Sequence, residues 1–166
     1  MALSDSLADY FGFEEHGTTL RTEVLAGITT FLTMSYIVVV NPSILADNPE
    51  IPIQDGISVP GYAYGEVVSM LAVVTIIAAA TATLIMALYA NRPFGQAPGL
   101  GLNAFFAFTV VGSLGISWQT ALAAVVVEGI IFIVLTAIGA REYVIRAFPE
   151  PVKFAVGTGI GLFLTV

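Results

Sequence analysis

Long stretches without a charged side chain constrain the fold of this sequence more than any other feature. No Asp, Glu, Lys or Arg lies between Glu23 and Asp47, between Glu66 and Arg92, or between Arg92 and Glu128. A helix needs about 20 apolar residues to cross the hydrocarbon core of a bilayer. Each of the first two stretches therefore predicts one membrane-spanning helix. The third is too long for a single span and predicts a helix, a turn and the start of another helix.

The predicted fold is an all-α polytopic membrane protein with a short N-terminal tail. Turn-forming residues and a tryptophan at 112–118 (GSLGISW) separate the third span from the fourth. Because the fifth span is still apolar at Val166, we interpret the chain as the N-terminal part of a longer protein. The tail covers residues 1–20 and the transmembrane domain residues 21–166, with spans at about 24–46, 67–90, 94–112, 119–140 and 153–166.

Span one carries polar residues as well as apolar ones. The hydroxyl groups of Thr29, Thr33 and Ser35 can bond to carbonyls of their own helix or bond across helices. The pair Asn41–Pro42 is typical of a helix end, so we expect span one to stop there.

The composition excludes several classes of function. Hydrophobic residues make up 57% of the chain and charged residues 10%, whereas an average soluble domain is about 25% charged. With a mean hydropathy of +0.93, lipid must be the solvent for much of the surface. The chain has no cysteine and one histidine, His16, which excludes disulfides, thiol catalysis and a multi-histidine metal site. A net charge of −7 without a basic face argues against a nucleic-acid partner.

The basic residues fall in alternate predicted loops. The loop at 47–66 holds four acidic residues and no basic one. Loops rich in Lys and Arg stay in the cytoplasm, so we expect a multi-pass protein of the cell membrane with a cytoplasmic N-terminus. The basic residues, which precede span one or lie between spans two and three or four and five, are Arg21, Arg92, Arg141, Arg146 and Lys153.

The stretch from Pro93 to Asn103 is the best candidate for a binding site. Its eleven residues include two prolines, three glycines and two amide side chains, which disfavour a regular helix. Interrupted helices form the substrate sites of many secondary transporters, because bare backbone at membrane depth must be buried or line a polar cavity. That interpretation makes four residues binding candidates, namely Gln96, Gly99, Gly101 and Asn103. The residues alone leave open a second interpretation, a cytoplasmic loop followed by a normal helix from about Leu100.

Asn103 has side-chain chemistry that suits a nucleobase. Its amide offers one acceptor and two donors, and the edge of a base presents alternating donors and acceptors. Phe105, Phe106 and Phe108 follow closely, and an aromatic ring could stack on the face of a base. Aromatic residues in membrane helices more often face lipid or pack against neighbours, so each phenylalanine is a weaker candidate than Asn103.

Glu128 is the acidic residue that lies well inside a predicted span. An ionisable group within the bilayer is costly and is a functional hypothesis by default. Two roles remain open at this point: a carboxylate that couples transport to protons, and a structural group that fastens span four to a neighbouring helix.

Four segments of the sequence resemble one family of transporters. They closely resemble the azaguanine-resistance type of purine permeases, within the nucleobase:cation symporters that are also called xanthine/uracil permeases. The motifs TEVLAGITTFLTMSYI and APGLGLNAFF are long and specific, and the resemblance covers nearly all of residues 17–166. The segments are GTTLRTEVLAGITTFLTMSYIVVVNPSIL at 17–45, NRPFGQAPGLGLNAFFAFTVV at 91–111, SWQTALAAVVVEGIIFIVLTAIGARE at 117–142 and PVKFAVGTGIGLFL at 151–164.

The resemblance implies a protein of fourteen membrane segments built from two inverted seven-segment halves, with segments three and ten interrupted. It implies import of hypoxanthine, adenine and guanine together with protons, no cofactor and no enzymatic reaction. Asn103 falls at the family's substrate-sensitive asparagine, and Ala104 and Phe105 would line the site. Glu128 matches a family glutamate in segment four. The family's main acidic residues lie in the missing C-terminal half, and a homodimer is compatible with the resemblance.

Other functions fit the residues less well. An anion or sulfate carrier of the same fold would need a helix N-terminus or a basic residue aimed at the charge, and no basic residue lies within a predicted span. A channel needs a pore ring or filter, and an enzyme needs a cluster of catalytic groups; neither pattern is seen. A membrane scaffold fragment that does not transport a substrate is the remaining alternative.

Overall fold

The computed structural model describes residues 3–52, 54–140, 143, 146–147 and 149–163. In these ranges the regular structure is helical, apart from an isolated parallel bridge between Ala46 and Ile57, which confirms the predicted all-α class. Arg141 and residues 164–166, which contribute to the predicted topology, lie outside the described residues. The helices are α1 (Leu3–Phe11), α2 (Leu20–Met34), α3 (Ile37–Leu45), α4 (Tyr64–Leu88), α5 (Leu100–Ala104), a π-helix (Phe105–Ser113), α6 (Trp118–Ala137) and α7 (Glu150–Phe163).

Within the described part of the chain, three helical stretches are long and apolar enough to cross a membrane. They are Leu20–Leu45, which joins α2 and α3, then Tyr64–Leu88 and Trp118–Ala137. Only 6% of the residues in the most apolar window of each are buried inside the chain, as expected for helices whose side chains meet lipid or further protein. The apolar helix Leu100–Ser113 is shorter and starts six residues after the predicted start at 94, because residues 91–99 have no regular structure.

The start of α2 is fixed by local hydrogen bonds. Thr19 is the N-cap residue, and its side chain accepts a hydrogen bond from the backbone N–H of Thr22 at 3.3 Å, which satisfies one of the N–H groups that a helix start leaves unpaired. Thr18 Oγ1 donates to Glu23 Oε1 at 2.6 Å, and this carboxylate lies in the first turn, where the helix dipole favours negative charge.

The helix of span one continues past Asn41–Pro42. Pro42 lies inside α3, which ends at Leu45, so the expectation that Asn41–Pro42 stops the helix is wrong. Proline is tolerated in membrane helices where neighbouring groups satisfy the backbone. Asn41 does not end the helix but joins it to α4: the residue is only 2% exposed, and its Nδ2 donates to Thr75 Oγ1 of α4 at 3.0 Å.

The chain divides into two compact units. Unit one comprises Met1–Ser43 and Val68–Pro98, and unit two comprises Ile44–Val67 and Gly99–Val166. The pair formed by Asn41 and Thr75 lies within unit one, where it joins span one to span two. Thr75 is itself 4% exposed and donates to Leu71 O at 2.7 Å, so both buried groups have partners, as burial requires.

The N-terminal helix α1 also packs within unit one. Tyr10 Oη donates to the carbonyl oxygen of Leu88, the last residue of α4. In return, Asn91 Nδ2 donates to the carbonyl oxygen of Tyr10 at 3.4 Å. The last carbonyls of a helix lack partners inside that helix, so the tail supplies part of the C-terminal cap of span two.

In unit two, the loop after α3 folds back on the end of that helix. Gln54 is 3% exposed, and its Nε2 donates to the carbonyl oxygens of Ile44 at 3.1 Å and Ala46 at 3.0 Å. Gly56 is buried against the same backbone, where a Cβ atom would lie 2.4 Å from Leu45 O. The glutamine amide thus caps the helix end, and a residue without a side chain makes the close approach feasible.

Candidate substrate-binding segment

Residues 91–99 form a nonhelical segment between the end of α4 and the start of α5. It begins at Asn91, which has a positive φ of 48°, a conformation that asparagine adopts more readily than most residues. Pro93 and Pro98 lack backbone donors and disfavour helical geometry in the residue before them. The segment ends at Gly99, the N-cap residue of α5.

The hydroxyl group of Thr83, in α4, holds the middle of this segment by bonding to both the backbone N–H and the backbone carbonyl oxygen of Gln96. The backbone N–H of Gln96 donates to Thr83 Oγ1 at 2.9 Å, and Thr83 Oγ1 donates to the carbonyl oxygen of Gln96 at 3.3 Å. A hydroxyl group has one donor and two acceptor sites, so a single side chain satisfies both. Sequence reasoning missed Thr83, because a threonine in an apolar helix usually bonds to its own backbone.

The segment also packs closely against α2. A Cβ atom placed on Gly95 would lie 2.7 Å from Met34 Sδ and 3.3 Å from Thr30 Cγ2. The backbone at Gly95 thus lies so close to span one that a larger residue would fit only if Met34 or the segment moved. Contacts from both α2 and α4 fix the path of the segment within unit one.

A groove of about 640 Å³ runs along these elements of unit one. This volume lies in the range of small-molecule sites, about 300–1,000 Å³. Its lining is mainly apolar, with polar groups from Thr30, Thr83 and Gln96 and charged groups from Glu23 and Arg92. An apolar lining with a few polar groups is typical of small-molecule sites.

The remaining sequence-predicted site residues lie in unit two, on one continuous helical stretch. Gly101, Asn103 and Ala104 belong to α5, and Phe105 begins the π-helix. Asn103 is half-buried, and its backbone N–H donates to Gly99 O at 3.1 Å. Ala104 is buried, whereas Phe105 is 50% exposed.

The structure thus separates the predicted candidates into two groups. Gln96 belongs to unit one, and the other candidates belong to unit two. The helix starts at Leu100, as in the second of the two interpretations of this stretch, because no proline follows Pro98 and a lone Gly101 is tolerated. The irregular backbone is therefore confined to residues 91–99, and Asn103 is presented by a helix.

The π-helix was not foreseen from the sequence. It covers Phe105–Ser113, and the backbone N–H of Leu114 closes it by donating to Thr109 O at 2.9 Å. Ser113 Oγ adds a bond to Phe108 O at 2.9 Å. π-Helical turns are rare and occur frequently at functional sites. No residue type in this stretch distinguishes it from an ordinary apolar helix.

Glu128 lies near the middle of α6. Its side chain is exposed on the surface of the described chain. Ser117 is the N-cap residue of α6, and its side chain accepts a hydrogen bond from the backbone N–H of Thr120 at 3.4 Å.

Comparison with known proteins agrees with this architecture. A family model of the xanthine/uracil permeases, described as a permease family, matches residues 21–166. The chain is 39% identical to the adenine permease AdeQ of Escherichia coli over 163 residues, which cover 98% of the chain and 33% of that protein. It is 44% identical to the guanine/hypoxanthine permease PbuG of Bacillus subtilis, over 94% of the chain and 34% of that protein.

A third relative is a nucleobase transporter of Paenibacillus larvae, 38% identical over 88% of the chain and 26% of that protein. The chain therefore spans about a third of the length of the curated relatives it matches. These relatives are named as transporters and not as enzymes. The family match covers nearly the whole chain, and the chain belongs to the xanthine/uracil permease family.

Proposed function

We propose that the protein to which this chain belongs imports purine nucleobases across the cell membrane by proton symport. The observation that carries the proposal is the nonhelical segment 91–99, which lies between apolar helices and is held at Gln96 and Gly95 by spans two and one. Irregular backbone among membrane helices is typical of transporter sites. The names of the relatives supply the substrate class, namely adenine, guanine and hypoxanthine.

We assign the recognition of the base to the candidate residues of α5 and the start of the π-helix, all of which lie in unit two. The amide of Asn103 would hydrogen-bond to the edge of the purine, and Phe105 would stack on its face. Gly101 and Ala104 are small enough to let the base approach the backbone. Gln96 belongs to unit one, and we propose it separately as a substrate-contacting amide of the groove that it lines there. The rest of the longer protein would supply the remaining groups of the site.

The topology follows from the charge distribution. We propose that the N-terminal tail, with α1, is cytoplasmic and that the acidic loop at 47–66 faces outward. The lipid bilayer surrounds the exposed apolar faces. A homodimer is compatible with these faces, and its test is the mass of the full-length protein in detergent.

Uptake of radiolabelled hypoxanthine by the full-length protein tests the substrate and the driving force. The protein is expressed in a bacterium that lacks its own purine permeases. We expect uptake that unlabelled adenine and guanine inhibit, that sulfate does not inhibit, and that collapses when a protonophore is added. Inhibition by sulfate would favour the anion-carrier alternative. Uptake that survives the protonophore would remove the proton coupling, and absence of uptake would remove the proposed function.

Asn103→Ala tests the assigned site. We expect the KM for hypoxanthine to rise about ten-fold or more, which corresponds to the loss of about 1.4 kcal/mol of binding. Leu102→Ala is the matched control, because Leu102 is the neighbouring residue on the same helix and is exposed. An unchanged KM for Asn103→Ala, with normal amounts of protein in the membrane, would remove Asn103 from the site.

Glu128→Gln separates the two roles of the glutamate, because glutamine keeps the shape and loses the titratable proton. If Glu128 couples transport to protons, the variant still exchanges labelled for unlabelled hypoxanthine but no longer concentrates it. If Glu128 is structural, the variant loses protein from the membrane and keeps its response to the protonophore. Both roles stand as proposals: an ionisable group within a span is a functional hypothesis by default, and a structural glutamate that fastens span four to a neighbouring helix fits the same position in α6.

A further inference from the structure

We propose that Thr83 is a positioning residue for transport: its hydroxyl group fixes the backbone of the nonhelical segment at Gln96 and so sets where the Gln96 side chain meets the substrate. The inference deepens the proposed function and rests on it. It assigns a role to a residue of span two that the site assignment above does not include.

The hydrogen-bond pattern of Thr83 differs from that of other threonines in these helices. Thr29, Thr75 and Thr136 each donate to a carbonyl oxygen four residues earlier in their own helix, which is the usual arrangement for a threonine in a membrane helix. Thr83 Oγ1 instead donates to the carbonyl oxygen of Gln96, thirteen residues further along the chain, at 3.3 Å. This hydroxyl group is used between elements rather than within one.

The Gln96 backbone depends on this hydroxyl group because a nonhelical segment lacks the bonds of a helix or sheet. Both of its polar backbone groups are bonded to Thr83 Oγ1, at 2.9 Å for the N–H and 3.3 Å for the carbonyl oxygen. Without the hydroxyl group, two peptide groups among apolar helices would lose their partner. The segment would then shift until water or another group replaced it.

The position of the Gln96 backbone matters for substrate binding because Gln96 lines the same groove as Thr83. A substrate-contacting group must be held in place by its neighbours for binding to be specific. The side of the segment that faces α2 is fixed by the close approach of Gly95 to Met34. Contact with α2 limits movement in one direction, and the hydroxyl of Thr83 fixes the register of the backbone along the groove.

The test compares Thr83→Val, which is nearly isosteric and lacks the hydroxyl group, with Thr83→Ser, which retains it. Thr81→Val is the matched control, because Thr81 lies on the same helix and is exposed. In hypoxanthine uptake by the full-length protein, we expect Thr83→Val to raise the KM about five-fold, which corresponds to one lost hydrogen bond of about 1 kcal/mol. Thr83→Ser and Thr81→Val should leave the KM within about two-fold of the original value.

A second readout makes the geometric part of the inference independent of transport. Gln96→Cys is introduced into the full-length protein with other cysteines replaced, and its rate of reaction with N-ethylmaleimide is measured. We expect the rate to change several-fold when Thr83→Val is added and to stay the same when Thr81→Val is added. If Thr83→Val does not accumulate in the membrane, Thr83→Ala replaces it in both measurements.

The outcomes distinguish the two claims. A raised KM that Thr83→Ser restores, together with a changed labelling rate, supports the positioning role. A lower amount of protein with an unchanged KM and an unchanged labelling rate means that Thr83 only stabilises the fold, and this overturns the inference. If the unmodified protein does not take up hypoxanthine, the proposed function fails. In that case a labelling rate that changes still supports the hold on Gln96, and one that does not change overturns it.

Discussion

Replacing Gly95 with alanine tests whether the nonhelical segment packs directly against α2. A Cβ atom at this position would lie 2.7 Å from Met34 Sδ, and 3.3 Å from both Met34 Cε and Thr30 Cγ2. Nonbonded carbon atoms attract best at about 3.5–4.0 Å, so the shortest contact is too close by about 1 Å. The methyl group can be accommodated only if Met34 or the segment moves.

The size of the effect follows from two opposing contributions. Overpacking of this kind costs about 1–3 kcal/mol, with the lower end applying if the flexible Met34 side chain turns away. Replacing glycine by alanine also restricts the unfolded chain, which stabilises the protein by about 0.4–1 kcal/mol. Subtracting the second contribution from the first leaves a net destabilisation of about 0–2.6 kcal/mol, with about 1 kcal/mol in the middle of that range.

Thermal unfolding of the full-length protein in detergent measures the effect as a change in apparent Tm. The measurement is repeated in a Met34→Ala background, which removes the sulfur atom that the new methyl group would meet. Because residues in contact are not additive, Gly95→Ala should lower the Tm in the original background and have little further effect in Met34→Ala. Gly27→Ala is the control on α2, the helix that carries Met34, since a Cβ atom at Gly27 meets nothing within 4 Å. Equal losses in the two backgrounds would refute the contact.

Three further predictions concern other parts of the chain. Gly56→Ala should lower the apparent Tm strongly, because its Cβ atom would lie 2.4 Å from a backbone oxygen. Gly65→Ala is the control and should leave the Tm unchanged, because a Cβ atom at Gly65 meets nothing within 4 Å. Similar losses of Tm for the two variants would contradict the crowding at Gly56. Asn41→Leu should destabilise the protein by about 1–3 kcal/mol through loss of the buried bond to Thr75, and adding Thr75→Val should then cost little more; fully additive losses in Tm would argue against the pairing. Tyr10→Phe removes the donor to the last carbonyl of α4, so limited proteolysis should cleave the N-terminal tail about five-fold faster, and an unchanged rate would show that this bond does not hold the tail.

The sequence predicts the apolar helices because charge is absent where lipid must surround the chain. The two stretches without charge, one between Glu23 and Asp47 and one between Glu66 and Arg92, make up most of two of the helices that are long enough to cross a membrane. The prolines and glycines after Arg92 likewise predict that helix α4 cannot continue directly into the next helix. These signals are local, and each depends on the chemistry of a few neighbouring residues.

The partners within the candidate site could not be predicted in the same way. That Thr83 reaches Gln96 depends on which face of α4 meets the segment, and a helix that is apolar all round gives no periodic signal for that face. The same limit applies to Asn41. Its neighbour Pro42 led to the prediction of a helix end, whereas the buried hydrogen bond from Asn41 to Thr75 depends on tertiary packing that the sequence does not indicate. The π-helix depends on backbone pairing that no side chain in Phe105–Ser113 announces.

The hydrogen bonds between α1 and the end of span two place the N-terminal tail beside the start of the candidate substrate-binding segment. Asn91, which donates to the Tyr10 carbonyl, is also the residue where the backbone turns into the nonhelical segment. A change in the tail that breaks this bond would therefore act at the start of the segment, which lies 81 positions away in the sequence. An affinity tag or a fluorescent protein fused ahead of α1 would lie close to this contact, so uptake by a tagged protein should be compared with uptake by the untagged one.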